Sequence, residues 1–247
     1  MTTTKIPKSP IYDQTTGYPN IGWMLDQHQL VTLIVGGRST GKTVSTIKEF
    51  VERRKKFIFM RRTQSELIAI AGSPELSPLP PVNRLCGTNM IFKRSSKYTF
   101  DILNCPDPDS LDGAVHVGLA FALTDVAHIR GFDATPYDYM LYDEFIPEPH
   151  VRTLRDEAGA FLSAIDTIVR NREVEGTGDF QVICAANSNR LANPLFIGLD
   201  IVAKADEMAS RGQFYSILSN RSILLVSLMQ SSIASARKQT QIGRAHV

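Results

Sequence analysis

Apolar residues along this chain gather into short runs, separated by segments in which they recur every three to four positions. Such a pattern predicts strands alternating with helices. The run Val31 to Val35 ends at a glycine, and beyond Thr43 the positions Val44, Ile47, Phe50 and Val51 share one helical face. A strand, a tight turn and a helix reaching about Lys55 are therefore expected. Phe57 to Met60 is short and uniformly apolar, like a buried strand. Residues 89–104 read as paired strands around a turn that holds Lys93, Arg94, Ser95, Ser96 and Lys97, and Val115 to Leu123 reads as a further strand. Tyr139 to Tyr142 is another apolar run. Ala158, Phe161, Leu162, Ile165, Ile168 and Val169 set out an amphipathic helix over residues 154–172, and Gln181 to Ala186 returns to a core strand.

The intervening stretches punctuate this pattern. The proline-dense GSPELSPLPP (72–81) and PDPDSLDG (106–113) read as loops, and residues 1–30, rich in Thr, Pro, Gly and Gln, read as an irregular arm. Beyond Asn193-Pro194 come a short apolar stretch, a helix-like segment near 202–211, a strand-like Ile223 to Leu228 and a helix-like Met229 to Lys238. The expected organisation is an N-terminal arm (1–30), one α/β domain (31–200) and a sheet edge or linker subdomain (201–241). The last six residues, IGRAHV (242–247), are what a common sequencing-library adapter would encode, so the natural chain is expected to continue past Gln241.

Between the first strand and helix lies Gly36-Gly37-Arg38-Ser39-Thr40-Gly41-Lys42-Thr43, a G-x-x-x-x-G-K-T pattern in the strand-to-helix context that a P-loop requires. Glycines let the backbone curl so that successive N–H groups point at a triphosphate, and the helix N-terminus adds its positive dipole end. Lys42 is placed to reach the β- and γ-phosphates and Thr43 to put a hydroxyl on a magnesium ion. The fold expected is α/β, a P-loop NTPase three-layer sandwich around a mostly parallel central sheet. Just ahead of the first strand, Tyr18-Pro19-Asn20 is either a turn that folds over the nucleotide base or a plain surface turn.

Composition narrows the partners. With 27 Lys and Arg against 25 Asp and Glu, the net charge is +2, so any nucleic-acid contact must be local. The candidate clusters are Arg53 to Lys56 and Lys93 to Lys97; a helix C-terminus stabilised by its dipole and a solvated turn are the plain alternatives. Cys86, Cys105 and Cys184 form no C-x-x-C pair, which argues for a reducing compartment, the cytoplasm by default, and against a structural zinc site. No apolar run reaches membrane-spanning length, and MTTTKIPKSP lacks the apolar core of a signal peptide.

The run Tyr139 to Tyr142 ends in Asp143-Glu144. Phosphoanhydride hydrolysis needs one carboxylate for the metal shell and one to orient and deprotonate water. Asp143 suits the metal. Glu144, one residue on and so on the opposite side of the strand, suits the base role. Arg61 and Arg62, leaving a strand expected beside the P-loop strand, would sit at the nucleotide-binding edge of the sheet. Asn187-Ser188-Asn189, at the exit of another strand, would either sense a γ-phosphate or cap a turn.

Taken together, GGRSTGKT, FIFMRR followed by Glu66-Leu67, MLYDEFI, DTIVRNRE and ICAANSNRLANP resemble, in order and spacing over about residues 30–200, the DNA encapsidation ATPases of salasmavirus-type short-tailed phages. The resemblance implies a terminase-like ATPase of the additional-strand, catalytic-glutamate P-loop class. It would use ATP and Mg2+, assemble as a homo-oligomeric ring at the prohead portal vertex and translocate double-stranded DNA. Its place would be the cytoplasm of the infected bacterial host, transiently on the prohead, with no membrane partner. In that family the arginine opening the R-N-R run acts as a trans finger, which maps to Arg170. A basic residue before the acidic strand also reaches the neighbouring subunit, with Arg130 the nearest candidate, and the Asn after the penultimate strand maps to Asn187. The family's nuclease-like C-terminal domain has no counterpart here. Two other readings stay open. A small-molecule kinase would keep Lys42, Thr43 and an acidic metal ligand but needs no water-activating Glu144. A non-hydrolysing, nucleotide-gated assembly module would bind ATP without turnover, against which the intact Asp143-Glu144 pair argues.

Overall fold

A computed structural model describes residues 6–107, 109–129, 131–148, 150–175, 179–187 and 191–228; within 170–175 it describes the side chain of Arg172 alone. In chain order the elements are α1 (Ile21–Leu25), β1 (Val31–Gly36), α2 (Lys42–Glu52), β2 (Phe57–Arg61), α3 (Gln64–Gly72), α4 (Leu79–Cys86), β3 (Met90–Arg94), β4 (Thr99–Asn104) and β5 (Val115–Ala122). After a 3₁₀ turn at Leu123–His128 follow β6 (Tyr139–Asp143), α5 (Glu157–Glu175), β7 (Gln181–Asn187), α6 (Pro194–Gly198), α7 (Val202–Ser210), β8 (Tyr215–Leu218) and β9 (Ile223–Ser227).

The strands form one nine-stranded sheet in the order β3-β4-β5-β2-β6-β7-β1-β9-β8. From β5 to β9 every pairing is parallel, and an antiparallel hairpin closes each edge. The central strands are buried on both faces, which is why they read as unbroken apolar runs rather than alternating ones. Their side chains still alternate. Leu33, Val35, Ile58 and Met60 join Phe161, Ile165 and Ile168 of α5 on one face, while Ile34, Phe57 and Phe59 join Ile47 and Phe50 of α2 on the other. Helices on both faces of the sheet make the expected three-layer α/β sandwich. No helix among the described residues is long and apolar enough to cross a membrane.

Local chemistry sets most helix starts. Asn20, Thr63 and Asn193 accept hydrogen bonds from Trp23 N, Glu66 N and Phe196 N at the heads of α1, α3 and α6. Pro80 and Pro81 stand in the first turn of α4, where a missing N–H breaks no helical bond, so the expected loop at 72–81 ends inside a helix.

Three expectations change. The strand carrying Arg61 is not beside the P-loop strand, because β6 and β7 lie between β2 and β1. Chain order gives no strand order, and β2 pairs instead with β5 and β6. The N-terminal arm is not irregular throughout: it contains α1, and Ile11, Tyr12, Ile21, Met24 and Leu25 are buried in the α2-side core. Ile21, Met24 and Leu25 stand at helical spacing, but a single turn is too short to give a sustained period, and Ile11 and Tyr12 lie outside it. The helix expected over 154–172 runs from Glu157 to Glu175, so Arg170-Asn171-Arg172 lies inside it rather than at its end. Beyond residue 200, β9 pairs directly with β1 in the same sheet. The helix-like 229–238 and the final 242–247 lie outside the described residues.

The β9 flank constrains the start of the P-loop. Leu228 N donates to Val35 O at 2.7 Å, and a Cβ on Gly36 would meet Leu228 Cβ at 2.6 Å. Gly36→Ala should therefore lower stability by about 1–3 kcal/mol through overpacking. Urea unfolding measures it; a midpoint equal to wild type would mean that Leu228 does not press on the loop.

Candidate functional site

The P-loop joins β1 to α2 over a cavity of about 470 Å³, lined by Arg38 to Val44 from the loop, Asp143, Glu144 and Glu148 from the β6 end, and Ala185 to Asn187 from β7. Parallel strands put these carboxyl ends on one edge, the usual place for a ligand in an open α/β sheet. Gly41, the residue before α2, sits at φ 84° in the left-handed region, and no side chain caps that helix. The first N–H groups of α2 are thus left for an anion. A Cβ at Gly41 would also strike Tyr18 Cδ1 at 2.3 Å. Tyr18, still 46% exposed, therefore lies against the P-loop, while Asn20 of the same turn caps α1.

Lys42 is buried, and its ammonium donates to Gly37 O at 2.8 Å, Gly36 O at 3.2 Å and Thr40 Oγ1 at 3.2 Å, with Asn187 Oδ1 at 3.4 Å. Burial lowers its pKa to about 8, against the pull of Asp143 and Glu144, so at neutral pH it is chiefly the cation a triphosphate requires. Asn187 reaches this group because β7 pairs with β1 in the register Gly36↔Asn187.

Thr43 Oγ1 donates to Asp143 Oδ1 at 2.6 Å. A hydroxyl beside a carboxylate is a hard oxygen donor set. That suits Mg2+, which keeps several waters and completes its shell with substrate phosphates. Burial pushes the Asp143 carboxyl up, while the Arg61 guanidinium and the Thr43 hydroxyl pull it back down.

Arg61 is the member of the site that sequence reasoning placed only loosely. From the end of β2 its Nη1 donates to Asp143 Oδ2 at 2.9 Å and its Nη2 to Glu144 Oε2 at 2.6 Å, and Glu66 stands 3.6 Å from its Nε. One guanidinium thus holds both carboxylates. The expectation that Glu144 lies on the opposite side of the strand from Asp143 fails for a backbone reason. Glu144 follows the last residue of β6 at φ 55°, and that left-handed turn abolishes strand alternation. Its N–H still donates to Ala185 O at 2.7 Å, and its side chain is 53% exposed. Arg62 does not join Arg61 at the nucleotide edge. It is buried against Glu157 at the start of α5 (Nε to Oε1, 2.7 Å), and Tyr142 Oη donates to the same carboxylate at 3.1 Å. Arg38 reaches Glu148 at 2.5 Å, a pairing that no sequence pattern announced.

Among the residues carried over by resemblance, Asn187 lies in the cavity wall, and Arg170 lies on α5 with its side chain outside the described residues. Arg130, Ser188 and Asn189 are also outside them. Arg172 is accounted for: it is buried, donates to Tyr137 O at 2.5 Å and to Thr135 O at 2.8 Å, and faces Asp138 at 3.6 Å. Arg172 of the R-N-R run is therefore committed to the core.

No family model matches the chain. It is similar to the DNA packaging protein of Bacillus phage phi29, at 24% identity over 228 residues, covering 90% of this chain and 59% of that protein. The DNA packaging protein of Bacillus phage B103 is likewise 24% identical, over 184 residues covering 72% of this chain and 50% of the relative. The chain thus spans between half and three fifths of the length of these curated relatives. Among solved structures, the N-terminal domain of the DNA packaging ATPase from bacteriophage phi29 superposes with a TM-score of 0.62 at 21% identity, covering 85% of this chain and 95% of that one. The phi29 viral genome packaging motor assembly contains a chain with a TM-score of 0.62 at 20% identity, covering 94% and 63%. These likenesses establish the fold.

The Arg61–Asp143 contact yields a test of the site's internal support. Removing one partner of a buried ion pair strands the other, so Arg61→Ala and Asp143→Ala should each lose about 3 kcal/mol or more. The double variant should lose at least about 1 kcal/mol less than the sum. A double-mutant cycle in urea reads this directly, and strictly additive losses would show that the two groups do not support each other.

Proposed function

We propose that this chain is the ATP-hydrolysing motor subunit of a viral DNA-packaging ring that translocates double-stranded DNA into a prohead. The observation that carries the ATPase part is the pairing of the P-loop with a two-carboxylate strand end, through Thr43 and Asp143 at 2.6 Å. The DNA-packaging part is supported by the relatives, whose printed names are DNA packaging proteins and whose structures are those of a packaging ATPase and motor.

Lys42 and the N–H groups at the head of α2 hold the β- and γ-phosphates, and Thr43 and Asp143 hold Mg2+. When bound, that ion offsets charge developing between the β- and γ-phosphates. Glu144, half exposed at the cavity rim, accepts a proton from water as its oxygen bonds to the γ-phosphorus. The bond to the bridging oxygen breaks, releasing ADP and phosphate. Arg61 grips Glu144 and Asp143 together, so it sets where the base stands relative to the metal shell. Asn187, within 3.4 Å of Lys42, is placed to feel the γ-phosphate. Arg170 and Arg130 act on the neighbouring subunit's nucleotide.

Two tasks separate by mutation. Lys42→Ala should abolish nucleotide binding, whereas Glu144→Gln should keep affinity within a few fold and lose about 10²- to 10⁴-fold in turnover. Fluorescent-nucleotide titration beside a phosphate-release assay, with and without duplex DNA and proheads, makes the comparison. Equal loss of affinity in both variants would end this division of labour, and steady hydrolysis that ignores DNA and proheads would leave an ATPase without the packaging role.

The trans role of Arg170 has its own measurement. Arg170→Ala should bind ATP normally and lose about 10³- to 10⁵-fold in hydrolysis, the range of arginine fingers. Arg170→Ala subunits keep a complete phosphate site and Glu144→Gln subunits keep the finger, so mixed rings should regain activity that neither shows alone. No recovery in verified mixed rings would place Arg170 in cis or in a structural role.

A further inference from the structure

The β3–β4 turn takes no part in the nucleotide cavity, yet it presents Lys93, Arg94 and Lys97, all exposed, and no ion pair among the described residues engages any of them. Asp101, opposite Lys93 in the strand register, faces His116 at 3.6 Å. The turn is also built rather than loose. Arg94 donates to Ser96 O at 3.0 Å and Lys97 O at 3.1 Å, and Ser96 Oγ accepts from Tyr98 N and Thr99 N, each at 3.1 Å. Gln64, at the start of α3, donates to Lys97 O at 2.5 Å. Tyr98 stacks on His128 of the 3₁₀ turn at 4.4 Å and 6°, with Lys97 Nζ 5.1 Å over the Tyr98 ring.

Topology puts this turn on the same edge as the P-loop. β4 is antiparallel to both β3 and β5, so β3 runs in the direction of β5 and the other parallel strands, and the turn follows the carboxyl end of β3. Five strand spacings separate β4 from β1, about 24 Å at ~4.8 Å each, too far for these cations to serve the phosphates in the same subunit's cavity. The other basic cluster of the sequence stands at the opposite edge, where β2 begins, and is partly engaged: Arg53 pairs with Glu49 and Asp26 and Lys55 with Asp138, while Arg54 and Lys56 are exposed.

We propose that the β3–β4 tip is a contact for the sugar–phosphate backbone of duplex DNA, with Lys93 and Lys97 pairing to phosphates on a turn that Arg94 and Gln64 hold rigid. This rests on the DNA partner of the function proposed above. A preformed turn loses little side-chain and loop freedom on docking. Ammonium groups and serine hydroxyls at its tip bind phosphate without reading bases, which a machine that must pass every sequence requires. Cations that merely shield an edge strand from pairing would be spread along β3; here Met90 to Phe92 are apolar and the charge begins at its last two residues.

The test is the salt dependence of binding to a fluorescent duplex of mixed sequence, for the assembled wild-type protein and for Lys93→Gln/Lys97→Gln. Arg94 is kept so that the turn holds its shape. The double variant should weaken DNA binding on the order of 10- to 100-fold at about 50 mM salt and reduce the slope of log K against log salt by about 2, close to one per phosphate contact. Lys93→Arg/Lys97→Arg should retain the slope, and basal ATP hydrolysis should be unchanged in both. An unchanged slope in Lys93→Gln/Lys97→Gln, with wild type binding DNA, overturns this contact and leaves the DNA-packaging reading standing. An unchanged slope with altered self-association overturns it in favour of a subunit contact. If wild type hydrolyses ATP but binds no duplex, the DNA partner itself falls and this contact with it.

Discussion

A carboxylate buried at the end of β6 is the constraint around which the rest of the site is arranged. Asp143 is 5% exposed, and a charge so placed is tolerated only where hydrogen bonds and an opposite charge replace water. The replacements come from two other segments: a hydroxyl from Thr43 at the head of α2 and a guanidinium from Arg61 at the end of β2. Satisfying this one group therefore ties the P-loop, β6 and β2 to a common point. The strand order makes that possible, since β6 lies directly beside β2 and is separated from β1 by β7 alone. Burial pushes the Asp143 carboxyl up, and the same two partners that assemble the site pull against it.

Glu144 differs in that its side chain is half exposed. Its left-handed backbone places a non-glycine residue in a conformation that costs on the order of 1 kcal/mol or more, tolerated where the surroundings over-determine it. Here they do: its N–H stays bonded to Ala185 O while Arg61 holds its carboxylate. The strain turns the side chain out of the sheet to a half-exposed position while keeping it on the same guanidinium as Asp143. One arginine thus joins a buried carboxylate to a half-exposed one.

What the sequence disclosed follows from which signals are local. The P-loop, the apolar strands and the Asp143-Glu144 pair were legible because each is a contiguous pattern with a fixed period or spacing. The position of β2 was not, because pairing between strands is decided by tertiary contact and RR at a strand end reads alike in any sheet order. Arg61 and Arg62, adjacent in sequence, went to opposite fates: one to Asp143 and Glu144, the other to Glu157 in the core. Arg172 is similar. Nothing in R-N-R tells that Arg172 is buried and bonded to Tyr137 O and Thr135 O. Ile11 and Tyr12 escaped notice because isolated apolar residues in a proline- and glycine-rich arm carry no period, although both are fully buried.

The stretch from the end of β2 to the start of α3 ties three separate parts of the molecule together. Arg61 holds the catalytic pair, Arg62 bonds Glu157 at the start of the helix that carries Arg170, and Gln64 bonds the carbonyl of Lys97 at the basic tip. Its backbone is fixed as well: Arg62 O accepts from Thr124 N at 3.3 Å, and Thr63 caps α3. A packed junction of this kind resists gradual deformation and favours discrete arrangements. The stretch that holds Asp143 and Glu144 is therefore also the one that anchors α5 and the tip. Arg62 and Glu157 are nearly inaccessible, at 1% and 2% exposure, so the anchor on α5 is the stiffer of the two connections. The link to the tip is the bond from Gln64 to Lys97 O, which joins the stacking of Tyr98 on His128 in holding that turn.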